Sequence, residues 1–107
     1  MPILQNCGAA GLVLAFALTS GPAAADQANG ERLARRWCAA CHVVASDQRQ
    51  ASADAPPFTT IARSPDFSVG KIALYLLDPH PKMPDMGLTR REAADIADYM
   101  AKVGKAP

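Results

Sequence analysis

Cys38-Ala39-Ala40-Cys41-His42 places two thiols three positions apart, with an imidazole immediately after the second. This is the arrangement that covalent attachment of c-type haem requires. On about one helical turn, each thiol can add to one vinyl group of the porphyrin, and the adjacent imidazole can project beneath the iron. The expectation from these residues is thioether attachment at Cys38 and Cys41, with His42 as the proximal iron ligand. Three simpler readings compete. A disulfide between Cys38 and Cys41 suits an oxidising compartment, but it closes a tiny loop and leaves His42 unexplained. A thioredoxin-like redox pair wants a βαβ setting, which the surrounding sequence lacks. A zinc site needs four ligands, and His80 is available as a fourth, but consecutive Cys41 and His42 reach one tetrahedral ion awkwardly.

The residues on either side read as helices joined by loops. Leu33, Ala34, Trp37 and Cys41 fall along one side of a helix predicted from about Ala28 to Cys41, with Asp26 or Asn29 to cap it. Residues 43–63 show no apolar period, hold two consecutive prolines, and are expected to be loop. A second helix is predicted from Ser64-Pro65-Asp66, where Ser64 can cap and Pro65 suits the first helical position. Phe67, Val69, Ile72, Ala73, Leu76 and Leu77 form its apolar face, and Pro79 and Pro81 stop it. The last helix opens at Thr89, with Glu92 completing a capping box. Ala93, Ile96, Ala97, Met100 and Val103 make its apolar stripe. Arg90, Arg91, Asp95, Asp98 and Lys102 are expected to face water, and Gly104 to end the helix. No segment alternates as a strand does and no repeat is present, so the class is all-α with about three main helices.

The chain has 107 residues, room for one domain. Its first 25 residues read as a cleavable signal peptide. Residues 8–18 are an uncharged apolar run, Gly21-Pro22 breaks it, and Ala23-Ala24-Ala25 supplies the small residues a signal peptidase accepts. The segment before the run, residues 1–7, has no Lys or Arg, which departs from the usual pattern. The competing reading is an uncleaved membrane anchor. It reaches the roughly 20 residues needed for a span only by including Gln5, Asn6, Ser20, Gly21 and Pro22. Cys7 precedes the apolar core and would leave with the leader. The remaining 26–107 segment carries all 11 Lys and Arg and all 10 acidic residues. That near balance excludes a nucleic-acid binder, which would need a basic excess. A chain this short buries a marginal core and leans on a cofactor or cross-link.

In order, these features resemble the class I cytochromes c: an N-terminal helix ending in CAACH, a proline-bearing loop, a helix, a methionine loop and a C-terminal helix. The resemblance covers the whole 26–107 segment, a single monohaem domain. Gly30 stands eight residues before Cys38, where the family keeps a small residue so that its terminal helices cross closely. The resemblance gives it Ile96 and Tyr99 as partners. The family often has an aromatic residue four positions after that glycine. Here it is Ala34, and Trp37 is the candidate to supply the missing bulk.

The resemblance also places a second axial ligand in the loop before the last helix, followed by proline and then by leucine and a helix cap. Met83-Pro84 and Leu88-Thr89 match that register. Met86 and His80 are the other donors in the segment, and softness and loop position rank Met83 first. Methionine opposite histidine raises the reduction potential. In the family a proline carbonyl after the CxxCH holds the proximal imidazole. Pro56 best matches that position, with Pro57 as the alternative. The implied protein carries one covalent haem c within a shell of Phe58, Ile61, Leu74 and Leu77. Its implied role is one-electron transfer in the bacterial periplasm, as a monomer without catalytic residues or a membrane span after cleavage. Redox partners would be of the dehydrogenase, cytochrome-complex or terminal-oxidase kind. The alternatives are a fixed haem subunit of a dehydrogenase or oxidase complex, or a ligand-binding or weakly peroxidatic haem protein.

Overall fold

In the computed structural model, which describes residues 8, 11–15, 24–52, 54–79 and 81–107, the chain forms four helices and, among those residues, no strand. Cys7, His80 and most of the expected leader lie outside the described residues. Helix α1 spans Gln27–Trp37, α2 Phe58–Ala62, α3 Val69–Leu77 and α4 Arg90–Lys105. The all-α expectation holds, with one more helix than the sequence suggested.

Of the two candidate caps for α1, Asp26 is the one used. Its Oδ1 accepts from the Asn29 backbone N–H at 3.0 Å. The helix stops at Trp37, four residues short of the expected Cys41. The Ala34 carbonyl there accepts from both Cys38 and Ala39, at 2.8 and 3.1 Å. The chain then winds one further turn, in which the Cys38 carbonyl accepts from Cys41 at 3.1 Å and from His42 at 2.8 Å. The CxxCH segment is thus a separate tight turn fused to the end of α1.

Helix α2 lies inside the expected 43–63 loop. Five residues are too few to display a helical period, and tertiary packing makes the helix, because Phe58 is buried. Helix α3 begins four residues after the predicted start. Ser68, not Ser64, is its cap, with Oγ accepting from Lys71 N–H at 3.4 Å. Ser64 instead opens a turn in which its carbonyl accepts from Phe67 at 3.0 Å. A proline suits the second position of such a turn as well as it suits a helix start, so Pro65 could not decide between them.

Helix α4 has the predicted capping box. Thr89 Oγ1 accepts from Glu92 N–H at 3.1 Å, and Glu92 Oε1 accepts from Thr89 N–H at 2.9 Å. The other three helices all pack on α4, α1 most extensively. Ala93, Ile96, Ala97, Tyr99 and Met100 are buried along it. Two expectations for this helix are corrected. Asp95 does not face water: it is 2% exposed, turned toward α1. Gly104 does not end the helix, which continues to Lys105. Its lack of a side chain serves packing instead, since a Cβ there would lie 2.5 Å from the Ala62 Cβ. Arg63, just beyond α2, closes the C-terminus of α4 by donating to the Gly104 and Ala106 carbonyls at 3.1 and 2.7 Å.

The closest helix approach is at Gly30. A Cβ on that residue would overlap the Asp95 carbonyl and come within 2.8 Å of the Tyr99 Cβ. The partners of Gly30 are therefore the Asp95 backbone and Tyr99, rather than Ile96 and Tyr99. Ala34, one turn on, is fully buried. Trp37 does not add bulk at that crossing: it is 42% exposed, with the Arg36 guanidinium 4.7 Å from its ring centroid. Overpacking of this kind costs roughly 1–3 kcal/mol or more, against a gain of only about 1 kcal/mol in helix propensity. Gly30→Ala should therefore lower the stability of the haem-loaded protein by about 2 kcal/mol or more, read by guanidinium denaturation. Gly104→Ala should destabilise in the same direction.

Candidate functional site

The turn after α1, the front of α2, one side of α3 and the methionine loop enclose a cavity of about 520 Å³. Cys38, Cys41 and His42 line one part of it, Pro56, Phe58 and Ile61 another, and Ile72, Tyr75 and Leu76 a third. Met83, Pro84 and Met86 come from the loop before α4, and Met100 from α4 itself. Of the predicted site residues, Cys38, Cys41, His42, Pro56, Met83 and Met86 thus share one space; His80 is outside the described residues. The shell differs from expectation at Leu74 and Leu77. These lie with Gly70, Ala73 and Arg90 around a separate hollow, and Leu74 is 70% exposed. Residues 70, 73, 74 and 77 share one side of a helix, while Ile72, Tyr75 and Leu76 turn the other way, to the cavity.

His42 is held by its backbone and by its ring. Its Nδ1 lies 2.6 Å from the Pro56 carbonyl oxygen. A carbonyl only accepts, so Nδ1–H donates and Nε2 keeps the lone pair that a metal would take. The Phe58 ring lies 5.7 Å away, tilted by 53°. Pro56, not Pro57, supplies the oxygen; Pro57 stands at the N-cap of α2.

Two side chains hold the turn in place in a way the sequence did not reveal. Gln48 Oε1 accepts from Val44 N–H at 2.8 Å, and its Nε2 donates to the Ala39 and His42 carbonyls at 2.9 and 2.7 Å. Tyr99, from α4, donates its hydroxyl to the Val44 carbonyl at 2.6 Å, a buried bond. No local pattern marks Gln48, because its partners are brought to it by the turn. Tyr99 was expected only as a partner of Gly30, from the resemblance, and its acceptor 55 residues away was not legible. The Phe58 N–H donates to the Val43 carbonyl at 2.9 Å, tying α2 to the same segment.

No disulfide joins Cys38 and Cys41. Cys38 is buried and Cys41 exposed. Burial, with a smaller contribution from neighbouring Cys41, pushes the Cys38 thiol up to about 11. Among the described residues, no three His, Cys, Asp or Glu side chains converge as a metal cage; His80, the fourth ligand of the zinc alternative, lies outside them. The cavity fits haem on its own terms. Its volume is that of a cofactor site, its lining is mainly apolar, and its donors are two thiols, an imidazole and thioethers, the set that attaches and ligates iron porphyrin.

An all-helical fold enclosing such a cavity behind a CxxCH turn defines a c-type cytochrome. The chain is 58% identical over 93 residues to Cytochrome c-552 of Bradyrhizobium diazoefficiens, a match covering 86% of this chain and 89% of that protein. No family model matches the chain, and no solved structure matches it significantly. The chain belongs to the class I c-type cytochromes. It is a small electron carrier rather than an enzyme, with one covalently bound haem c and redox proteins as partners.

Tyr99→Phe keeps the packing and removes only the donor, leaving the buried Val44 carbonyl unpaired. The expected loss is about 1–3 kcal/mol, measurable by denaturation followed through the haem absorption.

Proposed function

We propose that this protein is a periplasmic one-electron carrier whose haem is joined to Cys38 and Cys41 and ligated by His42 and Met83. The observation that carries this reading is one of geometry: an imidazole with its Nδ1 hydrogen-bonded to Pro56 lines the same apolar cavity as Met83 and Met86. Bound haem supplies a single-electron iron couple, while the protein supplies binding, orientation and electrostatics. His42 offers Nε2 as ligand because Pro56 holds the Nδ1 proton, and a carbonyl acceptor raises the donor strength of the ring. Phe58, Ile61, Ile72 and Leu76 give the cavity apolar walls.

Met83 is preferred to Met86 for two reasons. It packs against the buried core, and it is followed by Pro84, which stiffens the loop and reduces the entropy lost on ligation. Residues 1–25 act as an export signal cut after Ala25, releasing the 26–107 domain as a monomer into the periplasm. If the leader is retained, the protein is membrane-anchored there. No helix among the described residues is long and apolar enough to cross a membrane. Exchange with a dehydrogenase, a cytochrome complex or a terminal oxidase then occurs through brief contacts over a small interface.

Three outcomes test this reading. Haem should resist acid-acetone extraction from the wild type, and Cys38→Ala or Cys41→Ala should leave at most one covalent link; free extraction from the wild type would overturn the attachment. Met83→Ala should abolish the methionine–iron charge-transfer band of the oxidised protein and lower its potential, while Met86→Ala preserves the band. The reverse moves the ligand to Met86, and loss in His80→Ala alone would make the site bis-histidine. Finally, the Cys38→Ala/Cys41→Ala protein made without haem should be largely unfolded by far-ultraviolet circular dichroism, since ligation free energy is folding free energy in a domain this small.

A further inference from the structure

We propose that cutting the leader from residue 26 supplies the counter-charge of the buried Asp95 carboxylate, so that maturation completes the junction between α1 and α4. This rests on the export reading above, in which cleavage falls after Ala25.

The site is one carboxylate and two donors. Asp95 is 2% exposed, on α4. Its Oδ2 accepts from Asn29 Nδ2 at 2.8 Å, and its Oδ1 accepts from the Asp26 backbone nitrogen at 2.8 Å. Both donors are neutral amides while residue 25 remains attached. Among the described residues the two ion pairs lie elsewhere, both on Arg35, with Glu31 and Asp47. The nearest basic group tied to this network is Arg32, which reaches it only indirectly, by donating to Asn29 Oδ1. A carboxylate buried with neutral donors alone is costly, whereas one facing an ammonium is compensated.

Hydrolysis of the Ala25–Asp26 bond makes that change on an atom already in place. Water gives its hydroxyl to the Ala25 carbonyl and a proton to the Asp26 nitrogen, which takes a second proton from solvent and becomes an ammonium. The nitrogen need not move, since 2.8 Å is the usual separation of a charge-assisted N–H···O bond. A positive charge at the start of a helix opposes the helix dipole. Here it sits between two carboxylates: Asp95, and Asp26 itself, whose Oδ1 caps Asn29. The pairing falls beside the Gly30 crossing, where α1 lies against the Asp95 backbone and the Tyr99 Cβ of α4. The precursor therefore holds its terminal helices together less firmly than the processed chain does.

The test compares two haem-loaded forms, exported under a foreign signal sequence so that processing leaves either Asp26 or Ala24 first. The longer form keeps the Asp26 N–H but carries its ammonium about 7 Å farther along the chain. Guanidinium denaturation should give a folding constant about tenfold lower for the longer form, and the difference should shrink to less than twofold in the Asp95→Asn background. An equal penalty in both backgrounds, or no penalty in either, overturns the pairing. If Asp95→Asn does not accumulate with haem, Asp95→Ser carries the same comparison. Intact mass of the protein exported under its own leader should start at Asp26. A haem-loaded, redox-active protein that starts elsewhere would overturn this inference and leave the carrier reading standing.

Discussion

The backbone contact between Gly30 and the Asp95 carbonyl sets the distance between the first and last helices, and much of the molecule is arranged around it. No side chain fits there, so α1 can lie directly on α4. Tyr99, which touches the same glycine, is thereby positioned to reach the Val44 carbonyl beyond the CxxCH turn. Ala34 is fully enclosed one turn later, and Cys38 follows it into the interior. A single small residue eight positions before the first cysteine therefore fixes where the CxxCH turn stands relative to α4.

Within that frame the turn is fastened from several directions. Helix α1 leads into it, Gln48 bridges its carbonyls, Tyr99 holds its far end and Phe58 ties it to α2. The histidine ring is oriented last, by a carbonyl from a proline fourteen residues on. Each of these bonds joins backbone to backbone or a side chain to backbone. The geometry presented to a haem is thus supported by main-chain groups, whose positions depend little on rotamer choice. The hydrophobic contribution of the protein itself is modest, because several buried positions are alanine. A large rigid apolar group held between α2, α3 and the methionine loop would add burial that so short a chain does not otherwise provide.

The legible parts of the fold were those governed by local chemistry. The Thr89–Glu92 capping box, the apolar stripe of α4 and the small residue at position 30 all report interactions within one helix or at one contact. Misreadings came where two local rules agreed with the same residues. Ser64-Pro65 suits a turn and a helix start equally, and the start lies at Ser68 because Ser64 is used in a turn. Five-residue α2 has no period to display. Asp95 looked like a surface charge because its neighbours along the helix, Arg91 and Asp98, are polar. Burial came from α1 crossing over it.

By itself, the sequence determined the chemistry of the protein: two thiols and an imidazole at the spacing that haem attachment requires, soft donors in a proline-stiffened loop, and helices with readable faces. These follow from covalent connectivity and from interactions a few residues long. That Met83 and Met86 line one cavity with His42 while the Pro56 carbonyl meets its ring, which side of α3 faces that cavity, and that an aspartate meets the backbone nitrogen of residue 26 were decided only in three dimensions. Those relations join residues 14 to 69 positions apart. Such distances are closed by packing, above all by the crossing at Gly30, and packing leaves no mark within a short window of sequence.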